Sequence, residues 1–347
     1  MRIGDFKETY AADEALLRTP PVRFWMAVFG VALVVFPWVA GDYPVYLADL
    51  VGITVISALG LNLLTGFTGQ ISLGHAAFMG VGAYTAAALS SRWGLGLWAT
   101  LPAAGGVAAA FGLVVGAPSL RIKGLYLAMA TLAAQVIAEF GFVHLESITG
   151  GIRGINVPPA RLGPLEFGTD RALYAVIVAV AALATWFAAN LKRSAPGRAF
   201  VAVRDRDIAA EIMGVPLFGT KLRAFALGAF YAGVAGALWA YFMKVVTPEH
   251  FPLSLSIHYL AVIIVGGLGT VIGSVFGAVF MTLVPEILRG LASLARPHYP
   301  EAMVLLSPMT DVVFGGLIVG FLLFEPHGLA EIWQRTKRFF RLWPFVH

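Results

Sequence analysis

Residues Pro252 to Leu288 read PLSLSIHYLAVIIVGGLGTVIGSVFGAVFMTLVPEIL, a tract of 37 residues with no lysine or arginine. A helix crossing a bilayer needs about 20 mostly apolar residues, so this tract is too long for one span. The cluster Gly266-Gly267-Leu268-Gly269 is the natural turn, and a split there gives two short spans. Working outward, further apolar segments are Val22–Ala40, Val45–Leu64, Gln70–Ser90, Leu95–Ala117, Leu125–His144, Arg171–Leu191, Arg223–Met243 and Pro308–Phe324. The expectation is therefore an all-α integral membrane protein, a polytopic bundle of about ten transmembrane helices. Composition agrees. Of 347 residues, 59% are hydrophobic and 12% charged, and the mean hydropathy is +0.82. Soluble domains are about 25% charged. A soluble enzyme, a nucleic-acid reader and a disordered tail protein are excluded. Cysteine is absent, which removes disulfides and thiolate chemistry.

Lys and Arg set the orientation. With ten spans and the N-terminus inside, the inside segments hold 17 of the 24 basic residues and the outside segments 7. This bias predicts both termini on the cytoplasmic side of the membrane. The chain then divides into an N-terminal cytoplasmic segment (1–21), spans one to six (22–190), a cytoplasmic loop (191–222), spans seven to ten (223–325) and a tail (326–347). The tail alternates Arg335, Lys337, Arg338 and Arg341 with Trp333, Phe339, Phe340 and Trp343. That pattern predicts a helix lying on the anionic inner leaflet. Small residues at four-residue spacing predict close helix contacts at Gly269/Gly273/Gly277, Gly228/Ala232/Gly236, Gly112/Gly116 and Gly316/Gly320.

Two segments concentrate polarity. The first, Gly60–Ala87, reads GLNLLTGFTGQISLGHAAFMGVGAYTAA. It places Asn62, Thr65, Thr68, Gln70, Ser72, His75 and Tyr84 at membrane depth, where polar groups face a cavity or another helix. Gly66 and Gly69 around Phe67 and Thr68 suggest broken helix ends, whose backbone groups can meet a solute. Cavity lining and interhelical hydrogen bonding are both open at this point. Glu139, a few residues inside the end of the fifth span, is a further interior carboxylate that faces either a polar neighbour or the cavity. No metal-ligand set accompanies His75, and no cofactor is expected.

The second segment, Lys192–Arg223, is the one long polar stretch between spans. Arg198–Met213 reads as a single amphipathic helix with Phe200, Val203, Ile208 and Ile212 set against Arg204, Asp205, Arg206, Asp207 and Glu211. Gly214 and Pro216 end it. Such a helix can enter a groove on a partner or lie on lipid headgroups. The chain contains no G-x-x-x-x-G-K-[ST], H-E-x-x-H or G-x-S-x-G string, so no enzyme activity is assigned to it.

Together these segments resemble the permease subunits of branched-chain amino acid ABC importers, the Liv family and its LivM branch, from about Leu50 to about Leu329. Gly60–Ala87 is the most specific match. Thr149-Gly150-Gly151 through Gly154-Ile155 resembles the family's external loop, and VIIVGGLGTVIG (Val262–Gly273) its late-span signature. Ala209-Ala210 followed by Gly214 resembles the ABC coupling loop, with Ile208 where the general motif has Glu and with Glu211 nearby. The resemblance implies a translocation path bordered by Asn62, Thr65, Gln70, Ser72, His75, Tyr84 and Glu139. It implies ATPase coupling through Arg204, Asp207, Ile208, Ala209, Ala210, Glu211, Ile212 and Gly214. The implied partners are a second Liv-type permease subunit, two cytoplasmic ATP-binding subunits, a periplasmic solute-binding protein and the lipid bilayer, with no nucleic acid. Similar permeases carry urea, short amides or aromatic acids, and a proton-coupled carrier or channel is the alternative from another class.

Overall fold

The structure, a computed structural model, describes residues 20–119, 124–162, 165–295, 306–325 and 327–342. Most of the expected N-terminal segment, Arg121, Lys123 and Trp343 lie outside the described residues. The apolar runs are helical: α1 (Pro20–Val39), α2 (Asp42–Leu61), α3 (His75–Trp93), α4 (Leu97–Ser119) and α5 (Leu125–His144). A single-turn α6 (Glu146–Thr149) leads to strands β1 (Ile155–Asn156), β2 (Ala160–Leu162) and β3 (Leu165–Phe167). Then follow α7 (Asp170–Arg193), α8 (Ala195–Asp205), α9 (Asp207–Ile212) and α10 (Leu217–Met243). Strand β4 (Val245–Val246) precedes α11 (Leu253–Gly266), α12 (Val271–Ala295), α13 (Leu306–Phe324) and α14 (Gly328–Leu342).

Among the described residues, seven helical stretches are long and apolar enough to cross a membrane, and α13 with α14, bent by 49°, makes an eighth if taken as one span. The expected ten exceed this by α1 and α3. The apolar part of α1, Arg23–Val39, is short. Helix α3 has 19 residues but is rich in Gly, Ala and Ser and runs from His75 to Trp93. It packs against α4, α10 and α5. A helix surrounded by protein has no need of a continuous apolar surface. The expected division of Pro252–Leu288 occurs at Gly267–Gly269, between α11 and α12.

Helices α2 and α10 form the axis of the bundle. Each is 78% buried over its apolar window, against 22% for α7. Helix α10 lies along α2, α3 and α4 because glycines remove side chains where the backbones meet. A Cβ on Gly60 would lie 2.8 Å from the carbonyl oxygen of Gly228, and Cβ atoms on Gly82 and Gly236 would collide with the backbones of Gly233 and Met79. Lipid gives no hydrophobic drive for helices to associate, so close van der Waals contact of this kind is what holds them. Gly112 and Gly116 meet Ala229 and Phe225, and Gly273 and Gly277 meet Gly266. The fourth expected seam is different: among the described residues, a Cβ on Gly316 or Gly320 would meet no atom within 4 Å.

The loops gather at two opposite ends. At one, β1 pairs antiparallel with β4 (Ile155 with Val246, Asn156 with Val245) and β2 with β3. Arg171 pairs with Asp42 at 2.8 Å, and Arg92 donates to the Ile148 carbonyl at 3.1 Å. At the other end lie the connection after α2, helices α8 and α9, the Gly267–Gly269 turn and the start of α14. The packing makes a testable contrast. Gly82→Leu should destabilise the detergent-solubilised chain by at least about 1–3 kcal/mol, the usual cost of overpacking. Gly316→Leu should leave its thermal unfolding unchanged.

Candidate functional site at the broken end of α2

Helix α2 does not stop at Leu61. It widens into a π-helical turn, Asn62–Gly66, a form often found at functional sites. Gly69, at φ +70°, ends it, and the chain crosses to α3 through Gln70–Gly74. Three side chains hold this crossing. Thr65 Oγ1 donates to the Gln70 carbonyl (3.0 Å), Thr68 Oγ1 to the Leu64 carbonyl (2.5 Å) and Gln70 Nε2 to Thr68 Oγ1 (2.8 Å). Ser72 Oγ accepts from the Gly74 amide (3.3 Å).

Asn62 joins this break to a second one. Its Oδ1 accepts from the Gly269 amide (2.8 Å), while its Nδ2 donates to the Thr270 carbonyl (2.8 Å) and to Ser274 Oγ (2.7 Å). One fully buried amide thus satisfies groups in the α11–α12 turn. Gly66 is required beside it, because a Cβ there would collide with Asn62 itself.

Toward the bundle interior, His75 Nε2 lies 2.8 Å from Ser57 Oγ, with the Tyr259 ring edge-on at 5.3 Å. The first amides of α3 are already taken. Ala76 donates to Ser256 Oγ (2.8 Å) and Ala77 to Gln135 Oε1 (2.7 Å), and Leu73 donates to Thr131 Oγ1 (2.9 Å). Gln135 Nε2 donates to Glu139 Oε1 and to the Phe251 carbonyl, both at 2.9 Å. Ser57, Thr131, Gln135, Ser256 and Ser274 were missed in the sequence. Thr131, Gln135 and Glu139 lie four residues apart and so share one helix face, a signal that could have revealed the first two.

Asn62, Thr65, Gln70, Ser72, His75 and Tyr84 are each at most 8% exposed, whereas Glu139 is half-buried. Two of the buried side chains keep hydrogen-bonding capacity. Gln70 Oε1 and the Tyr84 hydroxyl have no hydrogen-bond partner among the described residues. Tyr84 stands among Phe142 and Phe251, with ring centroids at 4.9 and 6.4 Å. Gln70 borders a cavity of about 270 Å³ whose other walls include Thr68, Gly69, Arg204, Arg206 and Lys221.

The segment beyond α7 departs from the single helix Arg198–Met213. Arg206, with φ −155° and ψ 93°, divides it into α8 and α9. Ser194 closes α7 and caps α8, accepting from the Gly197 amide at 3.4 Å. The division separates the apolar residues of α8 from those of α9. Phe200 and Val203 on α8 are 1% and 4% exposed and pack inward, whereas Ile208, Ile212 and Met213 are 68%, 80% and 84% exposed. Ala210 is buried, while Ala209 and Glu211 are exposed. Asp207 Oδ1 accepts from the Ile208 amide at 2.9 Å. Gly214, at φ +86°, ends α9.

A family model described as the permease component of branched-chain amino acid transport systems matches residues 43–322. The chain belongs to this family. Among similar proteins, the high-affinity branched-chain amino acid transport system permease protein LivM of Salmonella typhimurium is 33% identical over 89% of this chain and 75% of its own length. LivM of Escherichia coli K12 is 32% identical over the same shares. The autoinducer 2 import system permease protein LsrC of an Enterobacter strain is 29% identical over 54% of this chain and 53% of its own. No solved structure matches the chain. The match to this permease family begins one residue into α2 and ends within α13, so it includes both helix breaks.

Asn62→Ala should orphan the buried Gly269 amide, at about 1–3 kcal/mol for that group alone. Chemical unfolding in detergent should register this loss, with a smaller effect from Thr85→Ala, whose hydroxyl bonds only within its own helix turn.

Proposed function

We propose that the chain is one of two permease subunits of an ATP-driven importer of branched-chain amino acids in a bacterial inner membrane. The observation that carries this reading is the similarity to LivM over 89% of the chain. The likeness to LsrC, a permease named for autoinducer 2, supports reading the wider family as serving more than one solute. Import of urea, short amides or aromatic acids therefore stands as the second reading.

In this reading ten helices cross the bilayer: α1, α2, α3, α4, α5, α7, α10, α11, α12 and α13. Successive connections lie at alternate ends, and the 17 to 7 distribution of basic residues puts the α8–α9 end and both termini in the cytoplasm. Helix α14 lies along the inner leaflet. Its Trp333 and Phe339 are half-exposed, and Arg335 pairs with Glu325 at 3.0 Å, fastening it beneath α13.

A path between two permeases is bordered by groups that have something left to offer a solute. Gln70 and Tyr84, with unpaired buried polar atoms, and the half-buried Glu139 fit that role. Asn62, Thr65, Ser72 and His75 shape the helix breaks behind them. Helix α9 docks on an ATP-binding subunit through Ile208 and Ile212, with Arg204, Asp207 and Glu211 nearby and Ala209, Ala210 and Gly214 giving it its compact form. A solute-binding protein delivers at the opposite end.

Reconstituted with its ATP-binding, second permease and solute-binding partners, the assembly should take up leucine, isoleucine or valine on ATP addition. Urea uptake without amino acid uptake would favour the second reading. Gln70→Leu should lower uptake with the complex still assembled, whereas Asn62→Leu should lower both. Because the chain has no cysteine, single cysteines at 205 and 337 can be labelled selectively. Both should react only from the cytoplasmic side.

A further inference from the structure

We propose that Arg204 and Lys192 are positioning residues that tie the cytoplasmic α7–α8 corner to both helix breaks, so that a displacement of α9 moves the broken end of α2 and the α11–α12 turn together. The inference rests on the reading of α9 as the ATPase-docking element and adds the route by which the motion enters the membrane.

The tie is made of backbone carbonyls that the breaks set free. A helix end leaves carbonyls without intrahelical partners, and cations are favoured there. Arg204 Nη1 donates to the Gly66 carbonyl at 3.0 Å, in the π-helical turn of α2. Its stem crosses Gly69, where a Cβ would lie 3.2 Å from Arg204 Cγ. Lys192 Nζ donates to the Gly269 carbonyl at 3.4 Å and stands 5.6 Å from the centre of the Phe67 ring. Asn62 closes the ring of contacts by accepting from the Gly269 amide. Two basic side chains thus hold two breaks that are roughly 200 residues apart in sequence yet share one buried side-chain amide.

The corner that carries them is stiff. Ser194 Oγ donates to the Leu191 carbonyl at 2.6 Å and caps α8, and Arg198 Nη1 donates to the Arg193 carbonyl at 2.6 Å. Phe200 and Val203 anchor α8 in the chain. Helix α9 adds a hydrogen bond from the Ala210 amide to the Arg206 carbonyl at 3.0 Å and projects its apolar residues outward. A push on Ile208 and Ile212 therefore reaches Arg204 over only a few residues. Arg204 Nε also donates to Asp205 Oδ1 at 2.9 Å, which fixes the guanidinium in the orientation that meets Gly66.

The test compares uptake per ATP hydrolysed in the complete reconstituted complex. Arg204→Ala should lower uptake per ATP hydrolysed by roughly tenfold, equivalent to about 1.4 kcal/mol of lost coupling. Arg204→Lys, which keeps one donor, should fall between. Rescue separates a tie from a general structural role. A Cβ on Gly69 would lie 3.8 Å from Arg204 Cβ, within the separation of about 3.5–4.5 Å that a disulfide bridges. In a Gly69→Cys, Arg204→Cys chain, oxidation should restore the coupling that reduction removes, with Gly69→Cys alone and the wild-type complex as controls. If Arg204→Ala does not assemble, the double-cysteine chain assembled under oxidising conditions carries the test through its response to reduction. Wild-type uptake per ATP in Arg204→Ala, or a formed disulfide that restores nothing, overturns the proposal. Failure of the underlying reading looks different: Ile208→Asp with Ile212→Asp would leave coupling intact, or the wild-type complex would move no solute.

Discussion

In an apolar surrounding every backbone amide and carbonyl needs a partner inside the protein, and this requirement governs where the helices can break. Two helices end inside the protein, α2 after its π-helical turn and α11 after Gly266, and each end leaves buried backbone groups to be satisfied. The two breaks are placed against each other and share one side chain. Asn62 can do this because a carboxamide offers an acceptor and two donors at one point. It uses the acceptor on Gly269 and the donors on Thr270 and Ser274. A Leu at this position would leave the Gly269 amide orphaned, and an Asp would bury a charge.

The same constraint explains why the polar residues of Gly60–Ala87 are mostly paired with protein. The first amides of α3 could have faced a solute, as in a helix end that binds an anion. Ser256 and Gln135 occupy them instead. Thr131 takes the Leu73 amide. The broken ends are thus held from three helices at once, and the groups left with spare capacity are few. That scarcity gives Gln70 Oε1 and the Tyr84 hydroxyl their interest. Buried polar atoms without partners cost stability, so these two atoms are costs that the fold itself does not offset.

The membrane character, most of the spans and the turn at Gly267–Gly269 were legible because each depends on local hydrophobicity or on a glycine cluster. Helix α3 shows where that signal fades: its environment is other helices, so its sequence follows packing instead of lipid. The polarity of Gly60–Ala87 was equally plain, but its partners were not. Ser57 is an isolated polar residue in an apolar run, and only the fold brings Ser57, Gln135 and Ser256 to His75, Ala77 and Ala76. The division of the loop helix at Arg206 was illegible for another reason. Arg204 to Asp207 carries no glycine or proline, so local propensity favours continuation, and the break depends on Phe200 and Val203 being drawn inward while Arg204 reaches Gly66.

That break has an energetic consequence. The break separates Phe200 and Val203, which are buried on α8, from Ile208 and Ile212, which are exposed on α9. With the extended residue Arg206 between α8 and α9, Ile208, Ile212 and Met213 stand exposed on the chain's surface. At about 25 cal/mol per Å² of apolar surface, covering three such side chains is worth several kcal/mol to whatever docks there. A surface helix that merely rested on headgroups would gain from basic residues on its flank, yet α9 itself, Asp207–Ile212, has Asp207 and Glu211 and no lysine or arginine. An acidic helix with an exposed apolar face is poorly suited to an anionic leaflet. It is well suited to a protein groove with a basic rim. The tail helix α14, basic and aromatic, has the opposite composition, so the two amphipathic helices differ in the kind of surface each is suited to meet.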